Sequence, residues 1–451
     1  MRLQAALHSS DLERYLMASS HSSLVSGVGA KIEEIAYNKV TWRLVPFLFV
    51  GYIFCFLDRV NVGFAKLQMQ QQLGFSETVY GLAAGIFFIS YFIFEIPSNL
   101  LLEKIGPRIW IGRIMITWGL ISSMTMFVNS ATQFYICRFL LGLMEAGFFP
   151  GIILYLTYWY PPARRAHVNA MFLTAIPVSG LVGGPLSGWI METFSGISAL
   201  GGWRWLFLLE GLPSIILGIV TFWYLDDGIT GAKWLTDDEK KLLKHNIDLE
   251  KKDKTRHSLK DCFIEWRVWI FCIVYFCFCA GLYGFMFWMP TMIKMTGIKN
   301  AFTIGLLTAI PNAIAIVGML LLGRSSDRHL ERRWHILICS LLAGLGLAFS
   351  AIFATNTWLS VLALSVGMIG IMAALSIFWS VPTALLAGTA AAGGIALVNS
   401  IGNLSGFVAP YMLGYIKDIT HSLNLGLYFL AMLAVLGGVL VLLFASRRTI
   451  R

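Results

Sequence analysis

Four ionisable residues lie inside stretches that otherwise read as hydrocarbon: Asp58 and Arg59 in the first long apolar run, Arg138 and Glu145 in the fourth. A charge at bilayer depth costs at least ~2.5–3.5 kcal/mol on insertion scales, so residues kept there usually face a cavity and mark an ion or solute path. Two acids and two arginines sum to zero when all are ionised. Protonating Asp58 and Glu145 would leave two uncompensated guanidiniums in a low-dielectric cleft, and a guanidinium grips a carboxylate with a planar fork and keeps its charge. Proton uptake and anion binding would then favour each other. The competing reading is a static salt-bridge cluster that only joins two helices; desolvation can cancel the attraction in such a cluster, which makes stability a poor reason to keep it. Arg138 has the weaker claim of the four, since it could serve chiefly to orient Glu145.

The elements that must position these groups are membrane-crossing helices. The chain has 451 residues, 57% hydrophobic and 13% charged, against about 25% charged in ordinary soluble domains. Twelve stretches approach the ~20 apolar residues that span ~30 Å of hydrocarbon: 43–66, 79–102, 109–128, 132–156, 168–191, 203–225, 267–289, 303–323, 335–354, 358–386, 394–416 and 425–446. Spans one and four run antiparallel. At ~1.5 Å rise per residue, Arg59 lies about 23 Å from the inner end of span one, and Arg138 and Glu145 about 9 and 20 Å from the outer end of span four. All four charges therefore fall at or outward of the midplane, and the seven-residue spacing of Arg138 and Glu145 puts both on one helix face.

The formal charge of +10 does not make a nucleic-acid binder, because the distribution follows membrane topology. With the N-terminus inside, the inner segments hold most of the Lys and Arg, while the outer ones hold Lys66, Arg204, Lys294, Lys299 and Lys417. The positive-inside rule then places both termini in the cytoplasm. The apolar pattern breaks at 226–266, where Thr236 and Glu239 form a capping box that opens a helix and a basic run from Lys251 to Lys260 follows. A solvated linker lying on an anionic leaflet accounts for it. The expected organisation is a mobile tail over 1–40 with a short amphipathic helix from about Lys31, a six-helix bundle over 41–225, a linker over 226–266, and a second bundle with a short tail over 267–451. The first 40 residues carry no cleavable signal pattern. The seven cysteines (55, 137, 262, 272, 277, 279 and 339) have no paired spacing and read as core residues. The eight histidines are scattered, and no phosphate-cradling glycine loop is present. These features argue against a metalloenzyme and an ATP-driven pump, and no cofactor beyond a coupling proton is expected.

The chain repeats at half its length. The run from Asn99 to Arg108 (NLLLEKIGPR) answers to that from Gly323 to Arg333 (GRSSDRHLERR) at an offset of 224, and Gly180, Gly184, Pro185 and Gly188 in span five answer to Gly402, Gly406, Pro410 and Gly414 in span eleven. Glycines at that spacing let helices approach closely, which favours packing and hinge roles over the glycine-proline pattern often linked with antiporters. Two parallel six-helix repeats joined by a charged loop resemble the major facilitator superfamily, in which solute binds near the midplane between the halves. Longer strings are similar to its anion:cation symporter family, whose members carry tartrate, phthalate, hydroxyphenylacetate, hexonates and hexarates. They are Phe56 to Ala65 (FLDRVNVGFA), Phe94 to Asn99 (FEIPSN), Trp203 to Gly211 (WRWLFLLEG) and Asn399 to Phe407 (NSIGNLSGF).

The resemblance implies an all-α fold of twelve transmembrane helices in two pseudo-symmetric bundles, and a carrier rather than an enzyme. It implies a proton-coupling role for Asp58, Glu145 and Arg138, with Arg59 as the anion-binding group. It also implies a cytoplasmic gate in which Glu103, Lys104 and Arg108 of the first loop motif, and Asp327 and Arg328 of the second, pair to close the inner side. Tyr91, Tyr283, Ser376, Trp379, Asn399 and Asn403 would line the cavity, the aromatic rings covering a carbon skeleton and the amides bonding hydroxyls; each alone could equally be interhelical glue. Glu95 and Glu210, near Pro97 and Pro213, read as structural or gating acids. The expectation is proton-coupled uptake of a small organic anion across a bacterial inner membrane by a monomer, with no nucleic-acid partner. The rival is proton-driven efflux of amphipathic compounds, which would need no arginine beside the acid.

Overall fold

Hydrocarbon offers no water to backbone N–H and C=O groups, so a chain this apolar must satisfy them within helices. A computed structural model describes residues 23–161, 164–165, 168, 171–172, 174–251, 265–385 and 388–444, and it is helical throughout its spans. In the first half α1 (Ser23–Val60) and α2 (Val62–Leu73) make span one, α3 (Glu77–Ile105) span two and α4 (Pro107–Met124) span three. Span four is α5 (Ala131–Glu145) with α6 (Phe148–Thr157), span five α7 (Ala175–Thr193) and span six α8 (Gly202–Tyr224). The linker contributes α9 (Asp237–Lys251). The second half runs α10 (Trp266–Met295), α11 (Ala301–His329), α12 (Arg333–Ile352), α13 (Thr357–Phe378) with the short α14 (Ser380–Leu385), α15 (Gly388–Asn403) with α16 (Ser405–Thr420), and α17 (Asn424–Phe444). Among the described residues ten helices are long and apolar enough to cross a membrane unaided; the two glycine-patterned spans, five and eleven, complete twelve.

The halves are built alike. Spans two and four pack together as do eight and ten, and three packs on six as nine does on twelve. Four helices start with a side-chain cap at the end away from the linker. Ser76, Ser130, Asn300 and Asn356 accept the backbone N–H groups of Val79, Gln133, Thr303 and Leu359. These caps fall into pairs 224 and 226 residues apart, within two residues of the loop-motif offset, so the repeat extends to how each helix is started.

The halves meet chiefly across two helix pairs, span five on span eight and span two on span eleven, with span one touching span seven beside them. Both contacts are made possible by glycine. A Cβ on Gly184 would lie 2.8 Å from the Gly305 carbonyl oxygen, and one on Gly414 would lie 2.3 Å from that of Glu77. The glycine pattern therefore closes the seam between the halves at the end distal to the linker. Polar groups lock the same end. Glu77 of span two holds Lys66 of span one at 2.6 Å and reaches across to Lys417 of span eleven at 2.5 Å. Asp418 accepts the N–H groups of Glu77 and Thr78 at 3.1 and 2.7 Å, and the Tyr80 hydroxyl donates to the Phe287 carbonyl. The Lys66 ammonium also sits 3.5 Å from the ring of Trp288 in the other half, a cation–π contact in a desolvated place.

At the linker end the structure departs from the expected tail and linker. The helix of span one is continuous from Ser23, with no break near 41; residues 1–22, most of the basic run (252–264) and 445–451 lie outside the described residues. The linker helix is docked rather than merely solvated. Thr236 and Glu239 form the expected reciprocal capping box, and Glu239 also binds Lys39 of α1 at 2.5 Å. Trp234 stacks on Trp159 with centroids 5.6 Å apart.

Two outcomes are expected. Gly184→Val adds branched carbons where backbone already sits, an overpacking cost of about 1–3 kcal/mol; a cysteine placed at the buried Ala301 should label faster with a bulky thiol reagent, and labelling at the parent rate would contradict the seam. Burial pushes the Glu239 carboxyl up, but hydrogen bonds from Lys39 and Thr236 outweigh it and hold it below its ordinary 4.5. A carboxyl depressed in the folded state stabilises above its unfolded pKa and loses that contribution as pH falls through the folded value. Amide exchange in α9 should therefore quicken below pH 4.5. It should be quicker at neutral pH in Glu239→Gln, by an amount near ~1 kcal/mol because Lys39 is half exposed.

Candidate functional site

Span one breaks at Asn61, between α1 and α2, just after the two charged residues. The last carbonyls of a helix lack intrahelical donors, and Arg138 supplies one: its Nη2 donates to the Arg59 carbonyl at 3.2 Å and its Nε to the Ala83 carbonyl at 3.4 Å. Arg138 is thus a strut across spans one, two and four. The expectation that it orients Glu145 is not what the geometry shows; it fixes the backbone of Arg59 instead.

Arg59 and Glu145 form a pair buried from solvent. Nε donates to Oε1 at 3.0 Å, Nη2 donates to the same oxygen, and the Cys55 thiol, one turn before Arg59, adds a third contact at 3.2 Å. Every donor converges on Oε1, and Oε2 is buried with no hydrogen bond. The guanidinium is walled by rings: Phe56, Phe87, Tyr91 and Phe88 lie at 5.1, 5.1, 5.2 and 5.9 Å. Phe87 and Tyr91 share a face of α3 by their four-residue spacing, and Phe56 is one turn before Arg59. The second half closes the box through Tyr283, whose ring centroid is 4.4 Å from that of Phe88 and whose hydroxyl donates to Asn403 at 2.9 Å.

Asp58 is elsewhere. Neighbours on a helix point ~100° apart, and while Arg59 faces the seam, Asp58 faces spans three and six. There its carboxylate accepts from Trp118 Nε1 at 3.1 Å, Ser122 Oγ at 2.6 Å and Ser214 Oγ at 2.8 Å. All three donors are neutral. The expectation that Asp58 masks a guanidinium is corrected accordingly: within the hydrogen-bonded site only Glu145 does so.

The remaining expected lining residues divide. Tyr91, Tyr283 and Asn403 join the Arg59 box. Trp379 packs on Tyr275, centroids 4.7 Å apart, and Tyr275 lies against Gly402, where a Cβ would meet its ring at 2.0 Å; this is a second aromatic wall nearer the linker end. Asn399 is half buried and Ser376 exposed, neither touching the Arg59 pair. Phe56, Phe87, Phe88, Cys55 and Tyr275 were not singled out in the sequence, although the helical spacing of Cys55 and Phe56 to Arg59 carries the signal. Glu95, one turn beyond Tyr91, is buried with Oε2 unbonded.

The loop motifs bind within their own halves. Arg108 donates its N–H to Asp227 at 2.9 Å and pairs with it at 3.8 Å. Asp227 fills the space beside Gly106, a residue at φ +104° that suits glycine. Asp327 pairs with Arg332, while Glu103, Lys104 and Arg328 are exposed. The acid expected to pair in the first motif, Glu103, is replaced in that role by Asp227 at the start of the linker.

The profile of the Major Facilitator Superfamily matches residues 48–410. The chain belongs to this superfamily. It is 48% identical over 416 residues, 92% of each chain, to an Agrobacterium vitis protein named as a tartrate transporter, and 46% identical to the Pseudomonas putida protein named as metabolite transport protein NicT, over 95% of this chain and 97% of that one. An Acinetobacter baumannii protein named as a quinolone resistance transporter is 39% identical over 90% and 94%. Among solved structures, the Escherichia coli xylose transporter XylE in a partially occluded inward-open conformation superposes with a TM-score of 0.71 at 12% identity, over 90% of this chain and 99% of that one, a likeness of fold. Membership makes the chain a multi-span membrane transporter and not an enzyme.

Breaking one side of a buried pair strands the other charge, at a cost of about 3–5 kcal/mol, whereas replacing both partners by apolar residues can be neutral or stabilising. Glu145→Ala should lower thermal stability in detergent strongly, and Arg59→Met combined with Glu145→Leu should recover most of it. Additive losses in the double variant would show that the two residues do not form one unit.

Proposed function

We propose that this superfamily member takes up a small organic anion together with protons by alternating access, with Arg59 as the anion-binding group and Glu145 as the acid that gates it. The observation that carries the reading is the Arg59 fork closed over a single oxygen of Glu145 inside an aromatic box at the seam. Protonating Glu145 removes the internal carboxylate, and a solute carboxylate then takes its place in bidentate geometry. Proton and anion thus bind together, because either one alone leaves an uncompensated charge in a dry site. Arg138 holds the strut, and Asp58 is a further buried carboxyl of the same half. Phe56, Phe87, Tyr91 and Tyr283 would cover the solute's carbon skeleton, with Asn403 held by Tyr283 as a partner for hydroxyls. Trp379, Asn399 and Ser376 would extend the path toward the linker end.

The positive-inside distribution supports an inner-membrane orientation with both termini and the linker in the cytoplasm; the closed distal seam then faces outward. The relative named for tartrate transport supports an organic acid as the solute, and the loop motifs at the linker end would pair across the halves when that end closes. A monomer suffices, since both halves of the site come from one chain. Efflux of amphipathic compounds, the rival reading, leaves the arginine without a task.

In proteoliposomes an inward proton gradient should drive accumulation of an organic acid such as tartrate. Glu145→Gln should abolish pH-driven accumulation while retaining counterflow exchange, and Arg59→Lys should weaken binding by about 10–100-fold, the loss of ~1.5–3 kcal/mol of charge-assisted bonding. Accumulation by Glu145→Gln at the parent level would remove it as the proton site, and flux only against an outward exchange ion would favour efflux.

A further inference from the structure

Beside the Arg59 site, and separate from it, two more carboxyls are buried in the first half. Span six runs antiparallel to span one. Asp58 is held by Ser214, and Glu210, four residues earlier and on the same face of α8, lies beside Asn61, one turn after Asp58. Glu210 is 1% exposed and its Oε1 accepts from Ser187 at 2.6 Å. Its Oε2 has no hydrogen bond, and neither have both amide atoms of Asn61, itself 1% exposed. The groups that face Glu210 are Asp58 and Asn61 from span one, Ser187 from span five, and Ser214 on its own helix. Among the described residues none is a cation.

Asn61 and Ser187 are at once the neighbours of Glu210 and part of the wall of a small cavity of about 40 Å³. The cavity lies at the seam between the halves. It is lined further by Gly184 of span five, whose close approach to Gly305 helps shut the distal end, by Thr308 and Asn312 of span eight, and by apolar side chains such as Phe64 and Met289. A buried acid with an unbonded oxygen therefore stands behind a polar amide at the edge of a space that widens when the seam parts.

We infer that Glu210 is a further proton-carrying locus of the transporter, loaded from the distal side through the cavity at Asn61. A proton from cavity water attaches to Glu210 Oε2, which then has Asn61 Oδ1 as an acceptor; on reopening of the opposite side it leaves to water, and no other bond changes. An ionised carboxyl with no cation beside it is strongly disfavoured in so dry a place, so the seam closes best when Glu210 holds its proton. This inference rests on the proton-coupled reading above and adds a proton to it, independent of Glu145 and of the anion.

The test is the number of protons moved per solute, read from reversal potentials in proteoliposomes with tartrate as the probe, alongside counterflow exchange, which needs folded protein but no net proton movement. Glu210→Gln should carry one proton fewer than the parent, with counterflow within about two-fold. The parent proton count in Glu210→Gln with normal counterflow would overturn the inference. Should that variant lose counterflow as well, Asn61→Leu, which blocks the approach and leaves both acids in place, decides: slowed proton-driven uptake with normal counterflow supports the route, and parent uptake overturns it. A parent protein that moves solute without any protons ends both this inference and the symport reading, and the two failures are distinguishable by that measurement.

Discussion

A guanidinium and a carboxylate in contact inside hydrocarbon set the terms for everything around them. Neither Arg59 nor Glu145 could be buried alone, since each ion's desolvation is only offset by the other. The pair therefore has to be made by two helices held in strict register, span one against span four. Arg138 provides that register by bonding the backbone at the broken end of α1, and Cys55 adds a contact one turn back. The unbonded Oε2 of Glu145 leaves the pair less than fully satisfied.

The sequence pair Asp58–Arg59 shows how one helix serves two compartments. A single residue step turns the side chain by ~100°, so the arginine reaches the seam while the acid beside it is committed to spans three and six. Reading adjacency as pairing is the natural error in one dimension. What decides the matter is which neighbouring helices carry donors, and Trp118, Ser122 and Ser214 come from segments far apart in the chain. Arg138 and Glu145 fail to meet for a related reason: a shared helix face does not imply contact when spans one and two offer carbonyls that the long arginine reaches first.

Much of the architecture was legible because hydrocarbon imposes it. Span length, the half-length repeat, the capping box at Thr236 and the glycine pattern of spans five and eleven are local or periodic signals, and each corresponds to an element of the structure. The aromatic box was less so. Phe residues are abundant in any bilayer-crossing helix, and nothing in composition separates Phe87 and Phe88 from rings that face lipid. The docking of α9 was hidden as well, since its acidic first turn and basic continuation read as solvated, and only the three-dimensional placement of Lys39 and Trp159 gives it a partner.

The repeat also accounts for an asymmetry of labour. Both halves place caps at corresponding positions and use the same helix pairings and glycine-lined faces. Charge breaks the equivalence. The first half carries Asp58, Arg59, Arg138, Glu145 and Glu210 within its helices, while the second presents Tyr283, Asn403, Tyr275 and Trp379 on the facing side. The buried charges of the interior are thus concentrated in one half. The facing side of the other half offers shape and hydrogen bonding instead, through Tyr283, Asn403, Tyr275 and Trp379.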